Sequence, residues 1–272
     1  MLQNGLVEAQ PSNPLAQLLN FIDKTVVIAE VEARKIRHDP TEILTRAVQP
    51  ALWLLVFGEV FTQVHAIPTG NLPYIDFMAP GILAQSVLFI AIFSGITLIW
   101  ERDLGIIHKF LASPIPRSAL VTGKALAAGV KALAQGLIIY VLAVLLGVHI
   151  NWNIFAILGT LLVVILGAML FSTFSLIIAC LVKTRERFMG IGQLMTMPLF
   201  FASNAIYPVS IMPGWLQVLA RINPLSYQVD VLRSLMLGQP SQTGIGLDFV
   251  VMVVATFILI SIATRLYPSA AT

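Results

Sequence analysis

The chain has few side chains that could do covalent or acid–base chemistry: 13 carboxylates, 4 histidines and a single cysteine in 272 residues. A reaction inside a membrane needs such groups to converge at depth. Their spacing here does not gather them. His38, His65, His108 and His149 all fall in loops or at the ends of apolar runs, and Glu59 alone among the carboxylates lies clearly inside one, with Glu101 at the end of another. No spacing suits a metal, and neither HExxH nor GxSxG occurs; the Ser94-Gly95 pair is not a nucleophile signal by itself. Cys180 sits in an apolar run and reads as a small buried hydrophobe. Gly123-Lys124 is followed by Ala125 and lacks the upstream glycine of a phosphate loop. The chain therefore cannot hydrolyse ATP by that route, and a solute moved uphill would draw its energy from a partner. Glu59 and Lys131 read as interfacial or interhelical residues rather than a proton relay.

Residues 101–124 point to mechanical rather than covalent work. Glu101-Arg102-Asp103-Leu104-Gly105-Ile106-Ile107-His108-Lys109-Phe110-Leu111-Ala112 is an amphipathic stretch, and Ser113-Pro114-Ile115-Pro116-Arg117 then stops it. It lies between two apolar runs, each long enough to cross a bilayer. A chain that only reverses direction needs a handful of polar residues. A short helix with one basic and one apolar face implies that something docks against it.

The elements that must position this segment are apolar throughout. The chain is 58% hydrophobic and 11% charged, with a mean hydropathy of +0.90, against about 25% charged in a soluble domain. Lipid, not water, solvates most of it. The formal charge of +3 does not suggest nucleic acid, because the basic residues cluster beside the apolar runs. The pattern predicts an all-α integral membrane fold with six transmembrane helices, over about 45–62, 79–100, 122–147, 154–182, 187–207 and 247–267. Lys24, Arg34, Lys35, Arg37 and Arg46 precede the first span. Arg102, Lys109, Arg117 and Lys124 follow the second, and Lys183, Arg185 and Arg187 follow the fourth. Loops 63–78 and 148–153 carry no Lys or Arg. The alternation places both termini in the cytoplasm.

Residues 1–14 read as a disordered polar tail without a signal peptide. Residues 15–40 mix apolar and charged positions as an amphipathic interfacial helix would. The six-span domain fills 41–272. Between the fifth and sixth spans, residues 208–246 form short apolar helical pieces broken by Pro and Gly. They fit either a hairpin dipping into the outer leaflet or an interfacial cap anchored by Trp215 and Tyr227. Gln85, Gln135 and Gln193 are polar groups within spans, and Met195 and Phe200 belong to a Met- and Phe-rich surface. Each reads first as helix packing and second as a contact along a transport pathway.

The order of these parts resembles the type-2 permease family of ATP-binding-cassette (ABC) exporters, in its daunorubicin-resistance-like and nodulation-factor-exporter-like branch. The resemblance rests on the Glu101-Arg102-Asp103-x-Gly105 loop, the Leu111-Ala112-Ser113-Pro114-Ile115-Pro116-Arg117 turn and the Asn223-Pro224-Leu225-Ser226-Tyr227 segment, and it covers about residues 20–267. It implies that Asp103 to Ala112 is a cytoplasmic coupling helix seated in a groove of a separate ATPase. Leu104, Ile107, Phe110 and Leu111 would supply apolar contacts, and Arg102, His108 and Lys109 would lie at the rim. Glu101 would anchor the span end through a basic residue of the N-terminal helix. The resemblance also implies an extracellular re-entrant hairpin containing Trp215, Asn223, Pro224 and Tyr227, two ATPase copies, a second permease chain as homodimer or heterodimer, and lipid as surroundings. The chain itself would bind no cofactor; ATP and Mg would sit on the ATPase. An amphiphilic cargo would leave the cell, and the competing reading is a secondary transporter or channel that uses no ATP.

Overall fold

The computed structural model describes residues 21–27, 30, 34, 41–64, 67–70, 72–113 and 115–271. The expected tail over 1–14 lies outside them. The expected interfacial helix over 15–40 is described only at 21–27, 30 and 34, all helical. No strand occurs among the described residues. A backbone surrounded by lipid must pair its own N–H and C=O groups, and the helix does this locally.

After α1 (residues 21–27), the helices are α2 (Thr41–Leu52), α3 (Glu59–Val64), α4 (Tyr74–Ser94), α5 (Ile96–Asp103), α6 (Ile106–Ala112), α7 (Arg117–Leu145) and α8 (Ile154–Leu181), followed by α9 (Arg185–Phe201), α10 (Gly214–Ile222), α11 (Pro224–Leu237) and α12 (Ile245–Leu266). A π-helical turn, Trp53–Gly58, joins α2 to α3 just after Pro50, whose ring nitrogen cannot close a helical turn. Trp53 and Phe57 stack across that turn at 4.4 Å.

Five stretches are long and apolar enough to cross a membrane: Thr45–Val64, Tyr74–Asp103, Arg117–Leu145, Ile154–Leu181 and Ile245–Ala270. They match five of the six expected spans. The expected fifth span over 187–207 is α9, and it is only 17 residues long. At 1.5 Å per residue it reaches about 25 Å, short of a hydrocarbon core of about 30 Å. Past the end of α9 the chain crosses α4 at Gly81. The backbone of Ala205 lies so close there that a Cβ on Gly81 would collide with it.

The second span is the axis of the molecule. Its apolar window is 72% buried, against 22% for the first span and 17% for the last. α8 packs on α4, α7, α11 and α12. Asn153 opens α8 by accepting a hydrogen bond from Phe155 N at 3.0 Å. The second span is broken once, at Gly95. Ser175 of α8 presses against that glycine where a Cβ would not fit, and its hydroxyl donates to the carbonyl of Ile92. The larger apolar core surrounds α4; a second, smaller one lies at the α5–α6 end and includes Leu98, Ile99, Ile107, Leu120, Val121 and Tyr267.

Candidate functional site

The helix of the candidate coupling segment begins one turn later than the resemblance implies. Asp103 ends α5, and the new helix starts at Ile106. Gly105 separates them at φ 67°, in the left-handed region that glycine enters without steric cost. α6 therefore turns away from the second span as a separate rod of seven residues.

Three contacts hold the end of α5. Glu101 accepts from Lys124 Nζ through both carboxylate oxygens at 2.6 Å, and both side chains are only 9% exposed. Its basic partner is thus Lys124 in α7; the N-terminal helix expected to supply one lies largely outside the described residues. Arg102 donates to the carbonyls of Val182 at 3.1 Å and Lys183 at 2.6 Å, at the end of α8. Asp103 pairs with Arg185 at 2.7 Å, and the Arg185 guanidinium also lies 5.8 Å from the Trp100 ring. Second span, third span and the α8–α9 turn are thereby joined at one level.

α6 has two faces, and they divide the apolar residues expected to meet a partner. Ile107 is fully buried, and Phe110 and Leu111 are half-buried against the chain's own smaller core. Lys124 Nζ lies 5.9 Å from the Phe110 ring. Tyr267 and Ala270, just past α12, are buried in the same cluster. The face left open consists of Leu104, 72% exposed, with exposed Asp103, His108 and Lys109. Ile107, Phe110 and Leu111 hold the rod to its body, while Leu104, just before Gly105, and His108 and Lys109 stay open.

The opposite end of the molecule holds α10 and α11. Asn223 joins them, and its side chain serves two helix ends at once. Its side-chain oxygen accepts from Leu225 N at 3.0 Å, capping α11. Its side-chain amide donates to Leu199 O at 2.6 Å and Ala202 O at 3.1 Å, where α9 runs out of intrahelical donors. Pro224 follows at the first helical position, where a missing N–H costs nothing. Tyr227 donates to the carbonyl of Arg221 at 2.5 Å, closing the last turn of α10. Trp215 is 67% exposed on α10, which leaves Val218, Leu219 and Ile222 open as well. α11, by contrast, is sunk into the bundle. Leu235 packs on Gly159 near the start of α8, and Gln228 packs on Gly167 near its middle. Gly167 has no Cβ to hold Gln228 off.

Arg233, Asp76 and Asp248 carried no weight in the sequence, yet all three are buried here. Arg233 donates to Asn204 O at 2.8 Å and Phe77 O at 3.3 Å, with its guanidinium 3.9 Å from the Phe77 ring centroid. Asp76 meets His149 Nδ1 at 2.9 Å. Burial, and the charge of nearby Asp248, push the Asp230 carboxyl above its usual range, while the Gln242 amide and the Ser241 hydroxyl pull the other way. Apart from the charges flanking Gly105, no sequence pattern announces these pairings, because each joins elements far apart in the chain.

The five pathway candidates differ in burial. Gln85 and Gln135 are buried, Gln193 is exposed, Met195 is half-buried, and Phe200 is buried edge-on to Trp53 at 6.0 Å. Among the described residues, no group of three or more His, Cys, Asp or Glu could hold a metal ion.

The described residues form a helical bundle with five stretches apolar enough to cross a membrane, and the chain belongs to the ABC-2 type transporter family, whose pattern it matches over residues 24–237; it is a multi-pass membrane transport permease. Members of this family are membrane permeases that work with cytoplasmic ATPase subunits. Among its relatives, the chain is 28% identical over 220 residues to the putative transport permease ycf38 of Cyanophora paradoxa, covering 79% of this chain and 74% of that one. It is 25% identical over 231 residues to the daunorubicin resistance ABC transporter permease protein DrrB1 of Streptomyces coeruleorubidus, covering 85% and 81%. It is 30% identical over 200 residues to nodulation protein J of Rhizobium meliloti (strain 1021), covering 73% and 75%.

Proposed function

We propose that this chain is the permease subunit of an ATP-driven exporter in the plasma (inner) membrane, with both termini cytoplasmic and α9 as a sixth, short span. Two copies of a cytoplasmic ATPase, carrying ATP and Mg, bind beneath two permease chains. ATP binding closes the ATPases, and the motion enters through α6. The permeases shift from inward-open to outward-facing because ATP binds the two states unequally. α11 with its exposed companion α10 is a re-entrant hairpin on the outer side. Only 11% of the chain is charged, so the cargo is amphiphilic: a drug-like molecule, a lipid or a lipid-linked glycan. Two relatives named for daunorubicin resistance and for nodulation support that class.

The observation behind this reading is the division of residues 104–112 into a side packed on its own permease, Ile107 with Phe110 and Leu111, and a side left open, Leu104 before Gly105 and His108 and Lys109 on α6. A charge placed in an apolar docking groove loses hydration without gaining a partner. Leu104→Asp is therefore expected to abolish co-purification of the ATPase and transport in vesicles while the permease still inserts. Unchanged co-purification and transport would refute the placement. Transport that follows an ion gradient with no nucleotide present would refute ATP coupling itself.

A further inference from the structure

α7 and α8 pack along each other, yet a groove of about 440 Å³ opens between them. It lies toward the end away from α6, since its walls come from the second half of α7 and the first half of α8. The turn between these helices is tied to the end of α11, where Asn151 N donates to Met236 O at 2.7 Å. Leu133, Leu137, Val141 and Leu145, one helical turn apart, form one wall of the groove. Ile157, Leu161 and Val164 form the other, and Leu83 of α4 lies at the bottom. Gly136 keeps the bottom open: a Cβ there would stand 3.3 Å from Leu83 Cδ1 and 3.8 Å from Val164 Cγ1. Among the described residues, no charged side chain lines the groove. Thr160 in its wall already donates to Ala156 O at 2.9 Å. Water therefore finds too few partners to fill it.

Length, volume and charge narrow the occupant. Trp152, exposed in the turn before α8, stands at the mouth, and an indole there marks the level of lipid head groups. From Leu145 to Leu133, α7 covers about 18 Å at 1.5 Å per residue, close to the ~15 Å hydrocarbon depth of one leaflet. The volume is about three times that of a ~150 Å³ apolar cavity that holds one benzene, which corresponds to about 18 carbon atoms. A helix about 10 Å across would need about 1,400 Å³ over the same length, so a second permease chain could cover the groove but not fill it. The turn over 146–153 has no Lys, Arg, Asp or Glu, and its His149 is engaged by Asp76. Nothing at the mouth selects a charged head group.

We propose that this groove holds one acyl chain of a membrane lipid, drawn from the leaflet opposite α6 and resident on the permease. The chain, not the head group, is what the site recognises. The proposal stands on these residues and depends neither on ATP coupling nor on the identity of the cargo.

The test places the full-length permease in phosphatidylcholine nanodiscs with a phosphatidylcholine probe that carries a diazirine midway along one acyl chain. After illumination, adducts are mapped by peptide mass spectrometry. Leu137, Val141 and Leu161 in the groove are expected to be labelled at least about fivefold more than Val250, Val254 and Phe257, exposed apolar residues of α12. Gly136→Leu, which fills the bottom, should bring the groove yield down to the α12 level. Leu137→Trp, a change at an exposed position that disturbs no core packing, should do the same. A phosphatidylglycerol probe with the same chain should label the groove equally. Equal labelling of groove and α12 in the wild type, or groove labelling unchanged in both variants, overturns the proposal and leaves ordinary lipid contact. A yield that differs between the two head groups overturns recognition by the chain. Absent groove adducts also overturn it, and a permease dimer that Leu137→Trp breaks would then give this face to a second copy. Groove adducts that disappear when the co-purified ATPase and ATP are added would make the chain a passing cargo and overturn residence.

Discussion

Both ends of the bundle carry short helices between spans, and they are built on opposite plans. At the α6 end the ties sit behind the helix: Glu101 with Lys124, Arg102 with two carbonyls, and Ile107 in the core. The front is left bare. At the other end the polar groups are turned inward. Asn223 caps two helices, and α11 hides Arg233, Gln228 and Asp230 within the bundle. A part that takes up force must be fastened at its back and open at its front. A part that lies among spans must leave no backbone group unpaired at its tip.

The strongest challenge to this contrast is the buried ion pair. Lys124→Ala strands the Glu101 carboxylate at 9% exposure, and breaking such a pair costs about 3–5 kcal/mol. Thermal unfolding in detergent should show that loss, and the ATPase should still bind but hydrolyse without transport. A melting temperature equal to wild type would mean that α6 is not fastened here.

The hairpin tip comes next. Asn223→Ala removes an N-cap, costing about 1 kcal/mol, and two donors to α9 carbonyls, at about 1 kcal/mol each. Asn223→Asp keeps the cap and loses the donors, so it should recover about a third of the stability. Equal melting of the two variants would show that the α9 contacts are idle.

Gly105→Ala forces a side chain into the left-handed region and costs about 1–2 kcal/mol. Because α6 is redirected, transport should fall more than stability does. Parallel losses in the two assays would assign Gly105 to folding alone. The smallest effect belongs to Asp103→Asn. Its pair with Arg185 is 42–49% exposed, and such pairs are worth about 0–1 kcal/mol. Melting within error of wild type is expected; a large drop would move this pair to the same rank as Glu101 and Lys124.

The long apolar runs were legible because lipid leaves the backbone no alternative to the helix, and four of the observed spans begin and end within a few residues of their apolar limits. The second began earlier, since Tyr74 meets Ile206, Ile75 packs on Gly58 and Asp76 meets His149, all of them buried. α9 was harder to read. Its apolar run continues past Phe201 through Ala202, Ala205, Ile206 and Tyr207, but that segment is not helical and passes close over Gly81 of α4. The charged loop around Gly105 announced a docking helix, whereas its orientation did not follow from the alternation of residue types. Which of Leu104 and Ile107 faces the core depends on where Leu98, Leu120 and Tyr267 lie in space.

The close approach of Gly81 and Ala205 joins main chain to main chain, with no side chain between to yield. The second span and the stretch leaving α9 consequently have no slack where they cross, and any side chain larger than hydrogen at position 81 would have to push the two backbones apart.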